Sequence, residues 1–304
     1  MKSLLTILFL AISTGVMAQV TATDSLFNSM SSDKQHGPVT IFESSRLILT
    51  QSTETIKKNN LNVLVIHRFG DAAGNLGGGK TFFGLDAVAD VYIGLEYGLT
   101  NDLNINIGRS TIPTVGGLVS GQLKYAALHQ TNDDSFPLAI SLIGQAGVRP
   151  YNTYSSFGDR WSYFGQAIFA RKFSHIFSFQ VAPSILYNNL PEPNEPGNEN
   201  AIFSLSATAS LKVTKLMSLV VDYAHPFSSF RNNNTGFSDP LGVGMQVVTG
   251  GHVFTLNVTN SRAVNEMNYL SNTTSDYGRG QYRVGFTISR MFDFNHKEKY
   301  NTKR

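Results

Sequence analysis

Apolar and polar residues alternate along about a dozen segments of this chain, which is the signal of half-buried strands. In one of these segments, Val91, Ile93 and Leu95 alternate with Asp90 and Glu96. After the first 18 residues no apolar run is long enough for a membrane-spanning helix, which needs about 20 residues. The sequence therefore predicts an all-β protein.

The polar faces of these segments favour a membrane barrel over a β-sandwich. They carry mostly Ser, Thr, Asn, Gln and Gly, as at Ser204, Ser206 and Thr208, and only 15% of all residues are charged. The polar faces of a sandwich meet water, where Lys and Glu should be common, whereas small polar residues suit a crowded barrel lumen. Aromatic residues such as Tyr97 and Trp161 gather near the segment ends, as in the girdles of membrane barrels. We therefore predict a closed antiparallel transmembrane β-barrel.

The connections between segments predict the number of strands. Short turns alternate with long connections rich in Pro, Gly and Asn, and in outer-membrane barrels the short turns face the periplasm. The short turns are at 100–102, 173–175, 213–216 and 249–251. If the last strand descends and ends at Phe292, the strand 61–69 is the twelfth from the end and ascends. We predict about 12 strands, or 14 if the N-terminal region supplies two spans, and interpret Arg46–Thr55 as a periplasmic or rim hairpin that feeds the barrel.

The first residues have the pattern of a secretory signal peptide. Lys2 precedes an apolar core from Leu4 to Val16, and Val16-Met17-Ala18 provides a small-x-small cleavage site. We divide the chain into a signal peptide (1–18), an N-terminal periplasmic or rim segment (19–60), the barrel (61–292) and a basic C-terminal tail (293–304). The predicted location is the outer membrane of a Gram-negative bacterium.

Several short sequence words occur in an order that is more specific than any one of them. They are His67-Arg68-Phe69-Gly70-Asp71, Phe83-Gly84-Leu85-Asp86, Gly94-Leu95-Glu96-Tyr97-Gly98-Leu99-Thr100, Gly108-Arg109-Ser110, Ala170-Arg171-Lys172-Phe173-Ser174, Thr249-Gly250-Gly251-His252-Val253-Phe254 and Thr259-Asn260-Ser261. Together they resemble the Gram-negative outer-membrane β-barrel family known as domain of unknown function 5777, from about Phe42 to Phe292. The resemblance implies an outer-membrane barrel of unassigned activity and brings no catalytic residues.

Other motifs give no catalytic, cofactor-binding or metal-binding residue. The chain has no cysteine, and its histidines lack metal-ligand spacing. Gly79-Lys80-Thr81 completes a phosphate-loop pattern that begins at Gly74, but an alternating strand follows where that motif needs a helix, so we interpret it as a solvated surface loop. His225 with Asp239, or Asp159, cannot be assembled into a triad from one sequence. A net charge of +3 gives no support to nucleic-acid binding, and we predict that the protein is not an enzyme.

A small set of charged residues shares the polar parity of the strands and should face the lumen. They are Arg68, Asp90, Glu96, Lys124, Asp222 and Arg283. One interpretation is an internal ion-pair network that plugs and rigidifies the barrel, and the other is a charged constriction that selects a solute. Side chains fill most of the lumen of a barrel of this size.

These observations predict a porin-like protein, a narrow channel or transport pore for a small solute. The alternatives are a structural or partner-binding barrel and, third, an outer-membrane hydrolase. The predicted partners are membrane lipid and a small solute, with no cofactor; no protein partner is specified. Closure of the barrel should bring the strand of Arg283 beside that of Arg68, so that both guanidinium groups crowd Asp90 and any pore favours anions.

Overall fold

Twelve antiparallel strands close into a barrel in which each strand pairs with its sequence neighbours and the first pairs with the last. This computed structural model describes residues 37–111 and 117–295. The strands are β1 (Asn60–Phe69), β2 (Val88–Gly98), β3 (Leu103–Ser110), β4 (Leu118–Leu128), β5 (Ala139–Val148), β6 (Trp161–Lys172), β7 (Phe177–Asn188), β8 (Ala201–Lys212), β9 (Met217–Phe227), β10 (Leu241–Thr249), β11 (His252–Thr259) and β12 (Arg283–Asp293). The prediction of about 12 strands is confirmed. The predicted signal peptide and nearly all of the basic tail lie outside the described residues.

The alternation of each strand divides an interior face from an outer face. In β8 every second residue is buried, so that Ser204 and Ser206 face the interior while Leu205 between them is 43% exposed. Leu95 and Ile107 are likewise exposed, and Glu96 and Asn106 are buried. The polar side chains therefore line the interior, as the parity of the sequence predicts, and the apolar side chains form the outer surface.

Short and long connections lie at opposite ends of the barrel. One end has the tight turns 99–102, 173–176, 213–216 and 250–251, together with the longer connection 129–138. The other end has the long loops, including the short helices α1 (Ser229–Asn232) and α2 (Glu266–Tyr269) and three-residue 3-10 turns at Gly79–Thr81, Gly158–Arg160 and Tyr277–Arg279. Within the described residues, none of the helices has the length and apolarity that crossing a membrane requires.

The segment before β1 enters the barrel from the short-turn end and forms a tight hairpin inside the lumen. Residues Arg46 and Gln51 form an isolated antiparallel bridge, and the Leu47 amide donates to the Thr50 carbonyl at 2.9 Å. Residues 44–53 are almost all buried. The predicted periplasmic or rim position of Arg46–Thr55 is therefore wrong, because the interior wall offers this hairpin both hydrogen-bonding and apolar partners. We call residues 41–56 the plug hairpin.

The loop between β11 and β12 folds into the barrel from the opposite end. Residues 260–271 are nearly all buried and include helix α2. The N-terminal side of this helix is capped by Asn265, whose side chain accepts from the Met267 amide at 3.0 Å. We call residues 260–273 the infolded loop. The plug hairpin and the infolded loop together fill the lumen.

A hydrophobic core forms inside the barrel where these two segments meet the wall. Ile41, Phe42, Leu47, Ile48 and Leu49 of the plug hairpin cluster with Met267, Tyr269 and Leu270 of the infolded loop. The wall contributes apolar residues at interior positions, namely Leu118, Phe164, Leu186, Ile202 and Val220. A water-filled pore would leave such side chains exposed, so the apolar cluster indicates a packed interior.

Candidate functional site

The six charged residues predicted to face the lumen all lie on the interior face of the barrel. Each is at most 4% exposed. Their partners fall into three levels along the barrel axis, from the short-turn end to the long-loop end. The candidate site is thus the filled lumen itself.

Nearest the short turns, Lys124 and Glu96 hold the base of the plug hairpin. The Lys124 ammonium donates to the carbonyls of Ser45 (2.9 Å) and Glu54 (3.1 Å). Glu96 accepts from the Ser45 hydroxyl at 2.5 Å and from the side-chain amide of Asn62 at 2.8 Å. Side chains of the wall therefore bind both the main chain and the side chains of the hairpin.

Glu54 closes the base of the plug hairpin on itself. Its carboxylate accepts from the backbone amides of Ile41 (2.9 Å) and Phe42 (3.3 Å). Burial raises the pKa of Glu54, whereas these two hydrogen bonds and the nearby Lys57 and Lys124 favour its ionised form. Glu54 thus joins the strand that enters the lumen to the strand that leaves it.

In the middle of the lumen, Asp222 on β9 binds the tip of the plug hairpin. Its carboxylate accepts from the backbone amides of Leu49 (2.8 Å) and Thr50 (2.9 Å) and from the Thr50 hydroxyl at 3.1 Å. The Thr208 hydroxyl of the wall donates to it at 2.9 Å. A tight turn leaves amides without partners in the hairpin itself, and Asp222 satisfies two of them.

A buried ion pair connects the plug hairpin to the infolded loop. The Arg46 guanidinium lies 2.8 Å from the Glu266 carboxylate, with side-chain exposures of 4% and 0%. The same guanidinium donates to the Val264 carbonyl at 3.0 Å, and the Gln51 amide reaches Glu266 at 3.3 Å. The two segments that fill the lumen are thus in direct contact through charged and polar groups.

At the long-loop end, the two predicted arginines have different partners. Arg68 lies opposite Asp90 in the register of β1 and β2, and β1 pairs with β12 as predicted. However, the Arg283 guanidinium pairs with Asp71, a residue of the loop after β1, and Arg68 donates to the Ile48 carbonyl at 2.9 Å and to the Ala263 carbonyl. The prediction that both guanidinium groups crowd Asp90 is therefore wrong.

Asp90 instead fixes the infolded loop. Its carboxylate accepts from the Val264 amide at 2.9 Å, from the Ser110 hydroxyl at 2.8 Å and from the Thr111 amide at 2.9 Å. A second carboxylate at this end, Asp71, pairs with Arg283 and also lies 3.6 Å from the Arg262 guanidinium. The arginines of this end are therefore distributed over two carboxylates, and the anion preference of a pore stays a prediction.

The chain enters and leaves the plug hairpin at the same end of the barrel. Among the described residues, backbone–backbone hydrogen bonds of residues 41–56 run only within the hairpin. Its first strand follows Thr40, whose carbonyl accepts from Lys172 at 3.0 Å, and its second ends at Thr55, which donates to the Asn101 carbonyl at 2.8 Å. Both contacts are at the short-turn end. None of the strand pairings of the wall therefore includes the hairpin.

The remaining sequence candidates lie outside the lumen. His225 Nδ1 is 2.8 Å from Asp239, which also accepts from the Tyr223 hydroxyl, and these three residues lie at the outer edge of the wall near the long loops. Asp159 accepts from the Ser156 amide of its own loop at 3.0 Å. Lys80 is exposed, and the chain continues from it towards strand β2. This agrees with the interpretation of the phosphate-loop match as a solvated surface loop. Within the described parts of the chain, no three His, Asp or Glu side chains group as metal ligands would.

Comparison with known families agrees with this architecture. The model of the membrane bound beta barrel domain family, domain of unknown function 5777, matches residues 42–292. The chain belongs to this family. The match begins within the plug hairpin and ends in β12, so it includes both segments that fill the lumen. No curated protein matches the chain.

Solved structures with a similar fold include two porins and an outer membrane channel. The NanC porin shares 9% sequence identity with a TM-score of 0.47, and the match covers 76% of this chain and 98% of the porin. The KdgM porin in complex with disordered oligogalacturonate shares 7% sequence identity with a TM-score of 0.48, and the match covers 77% of this chain and 99% of that porin. An outer membrane channel from Pseudomonas putida F1 shares 13% sequence identity with a TM-score of 0.46, and the match covers 79% of this chain and 98% of the channel. At these identities the likeness concerns the fold alone.

The sequence interpretation included a plugged barrel but missed that two segments of the chain, the plug hairpin and the infolded loop, occupy the lumen. The signal was present as apolar residues at interior positions of the strands, such as Leu64, Ile66, Phe164 and Ile168, which are all at most 3% exposed. Leu64 and Ile66 pack with Tyr92 and with Val264 of the infolded loop. An apolar side chain that faces a barrel interior needs an apolar partner there, and that partner is a plug.

Proposed function

We propose that this protein is an outer-membrane channel for a small solute whose lumen is closed by a removable plug hairpin. The observation that carries the proposal is that residues 41–56 enter and leave the lumen at the same, short-turn end and, among the described residues, form no backbone–backbone hydrogen bond with the wall. The predicted signal peptide and the family support an outer-membrane location, with the short turns and the N-terminal segment in the periplasm.

The closed state is strongly favoured at rest. Withdrawal would expose five apolar side chains that are at most 5% exposed, namely Ile41, Phe42, Leu47, Ile48 and Leu49. At about 1.5–3 kcal/mol for each buried side chain, this exposure costs about 8–15 kcal/mol. Since each 1.4 kcal/mol is a factor of ten, fewer than about one molecule in 10⁵ would be open by thermal motion. Opening therefore requires a force or a ligand acting on the N-terminal segment or on the loops.

Opening also requires movement of the infolded loop, which fills the outer half of the lumen. The Arg46–Glu266 ion pair makes the two movements interdependent, because withdrawal of the hairpin would leave the Glu266 carboxylate buried without its cation. The channel is thus closed by two segments that stabilise each other.

A reversible disulfide can test whether the hairpin must move. The hydroxyls of Thr50 on the hairpin and Thr208 on the wall are 2.9 Å apart, so Thr50→Cys with Thr208→Cys should form a disulfide, and no native cysteine competes. A matched control, Ser184→Cys with Ser204→Cys, joins two wall strands whose hydroxyls are 2.5 Å apart. Potassium chloride conductance is recorded in planar bilayers under high voltage, before and after reduction.

We expect rare openings of the wild type, none of the oxidised Thr50–Thr208 pair, recovery on reduction, and openings of the control pair in both redox states. Equal opening of the oxidised and reduced Thr50–Thr208 pair would refute the hairpin as the gate. Complete silence of all proteins, with the single variant Thr50→Cys unreactive towards an impermeant maleimide in living cells, would refute the channel.

Silence of all the proteins together with an unreactive Thr50→Cys would favour a permanently closed barrel that acts through its outer loops as a structural or partner-binding protein. The filled lumen is the specific observation that supports this alternative. Its apolar core and its many buried hydrogen bonds are what a rigid scaffold requires.

A further inference from the structure

A pocket of about 340 Å³ opens at the long-loop end, between the β9–β10 connection and the infolded loop. Arg231, Asn234 and Phe237 of the connection line one side, and Tyr269 and Thr273 line the other. Pockets for small molecules have volumes from about 300 Å³ upwards, so this one has the size for a ligand no larger than a single sugar unit. It is separate from the charged groups that hold the plug hairpin.

Arg231 is a buried cation beside this pocket that, among the described residues, forms no direct ion pair. It is 8% exposed, and its guanidinium donates to the Ser228 hydroxyl at 3.1 Å and to the Ser271 carbonyl, both of which are neutral. Glu199 accepts from Ser228 and from the Ser229 amide, and within the described chain neither it nor another carboxylate forms an ion pair with Arg231. Burial lowers the pKa of Arg231 to about 10 although the nearby Glu199 carboxylate acts to raise it, so Arg231 remains charged at neutral pH.

A buried charge without a direct ion pair is costly, and a pocket next to it is the place from which a directly bound counter-charge can come. The Nε atom of Arg231 and the hydroxyl of Tyr269 are both buried, and neither has a hydrogen-bond partner in the part of the chain that the structure describes. Arg68 and Lys124 are also buried cations, but they are enclosed by main-chain carbonyls of the segments that fill the lumen and do not line a pocket.

Two other titratable groups that line the pocket, His225 and Asp239, pair with each other and not with Arg231. The Asp239 carboxylate is engaged by His225 at 2.8 Å and by the Tyr223 hydroxyl. The Phe237 ring lies under the guanidinium, with its centroid 5.2 Å away, and offers an apolar surface without charge. Amide and hydroxyl groups of Asn232, Asn234 and Thr273 complete the lining and suit a hydroxylated ligand.

We propose that this pocket binds a small hydroxylated anion, of the size of one sugar unit with a single carboxylate or phosphate group. The anionic group pairs with Arg231, and the hydroxyl groups bond to the amides and to Tyr269. The site goes beyond the proposed channel and does not depend on it, because the closed protein already contains the pocket.

Calorimetric titration of the full chain in detergent tests this site with three probes of similar size: glucuronate, glucose 6-phosphate and neutral glucose. We expect at least one of the two anions to bind the wild type at least about tenfold more tightly than glucose, which corresponds to 1.4 kcal/mol or more. Arg231→Gln should abolish this preference. Tyr269→Phe should weaken binding of the anion several-fold but keep the preference, since the charge remains.

Arg160→Gln is the matched control, because Arg160 belongs to another long loop and does not line the pocket. It should leave both binding and preference unchanged. The proposal is overturned if neither anion binds the wild type more tightly than glucose, a comparison that needs no variant to fold. It is also overturned if Arg231→Gln, folded as shown by heat-modifiable migration, keeps the preference. Failure of the channel experiment would leave either result unaffected.

Discussion

Asp222 is the residue whose removal should most selectively loosen the plug hairpin. Asp222→Ala deletes the acceptor for the amides of Leu49 and Thr50 without changing any strand pairing. A buried donor left without a partner costs about 1–3 kcal/mol, so two of them cost about 2–6 kcal/mol. The substitution also removes a desolvated carboxylate that has no ion pair, which offsets part of this loss and favours the lower half of the range.

The measurement is hydrogen exchange of peptides that cover residues 41–56, in detergent and at fixed pH. When reclosing is faster than exchange, the exchange rate reports the open population, and each 1.4 kcal/mol raises it tenfold. We therefore expect exchange of the hairpin to rise by about 25-fold to about 700-fold in Asp222→Ala, with the strands still protected. Thr208→Val, which removes a wall donor to the same carboxylate, should change exchange of the hairpin less than about tenfold.

Exchange of the hairpin at the wild-type rate in a folded Asp222→Ala protein would refute the argument. It would mean that the apolar cluster alone holds the hairpin and that the hydrogen bonds contribute no net stability. A rise in exchange of the strands equal to that of the hairpin would refute the claim that the hairpin moves independently of the wall.

Three further changes test other parts of the fold. Leu205→Arg places a charge on the outer surface and should cost about 2–4 kcal/mol in reversible unfolding from lipid vesicles, whereas Leu205→Ile should have little effect. Glu266→Gln leaves Arg46 buried without its anion and should cost about 3–5 kcal/mol, seen as faster exchange in both the plug hairpin and the infolded loop. Gly84 has φ +83° and its Cβ would collide with main-chain oxygens, so Gly84→Ala should lower the thermal midpoint, while Gly79→Ala, where the Cβ meets open space, should not. An unchanged midpoint for Gly84→Ala would contradict the described loop conformation.

The wall of this barrel could be predicted from the sequence because strand parity is a local property. The alternation at Ser204, Leu205 and Ser206 reports directly which side meets lipid and which side meets the interior. The pairing of Arg68 with Asp90 follows from counting along one hairpin of the wall. Each of these inferences depends on residues close together in the sequence.

The contents of the lumen could not be predicted in the same way, because they depend on contacts between distant residues. Arg46 and Glu266 are 220 positions apart, and neither lies in a strand. The pairing of Asp71 with Arg283 could not be predicted because Asp71 belongs to a loop, where strand parity does not predict which way a side chain faces. The apolar interior residues Leu64 and Ile66 were the available clue, since an open aqueous lumen offers them no partner.

The position of the two lumen-filling segments in the chain sets the order in which the molecule can assemble. The plug hairpin lies shortly before β1, and the infolded loop belongs to the connection that leads from β11 to β12, so each precedes one of the two strands that close the sheet at a seam. Until that seam forms, β1 and β12 are free edges, and free edges are sites of misassembly. Contacts of such long sequence separation carry the largest loop-closure cost and form late. We therefore expect the joining of the two edges and the filling of the lumen to be one late folding event, in which the Arg46–Glu266 contact favours closure of the seam over pairing with another chain.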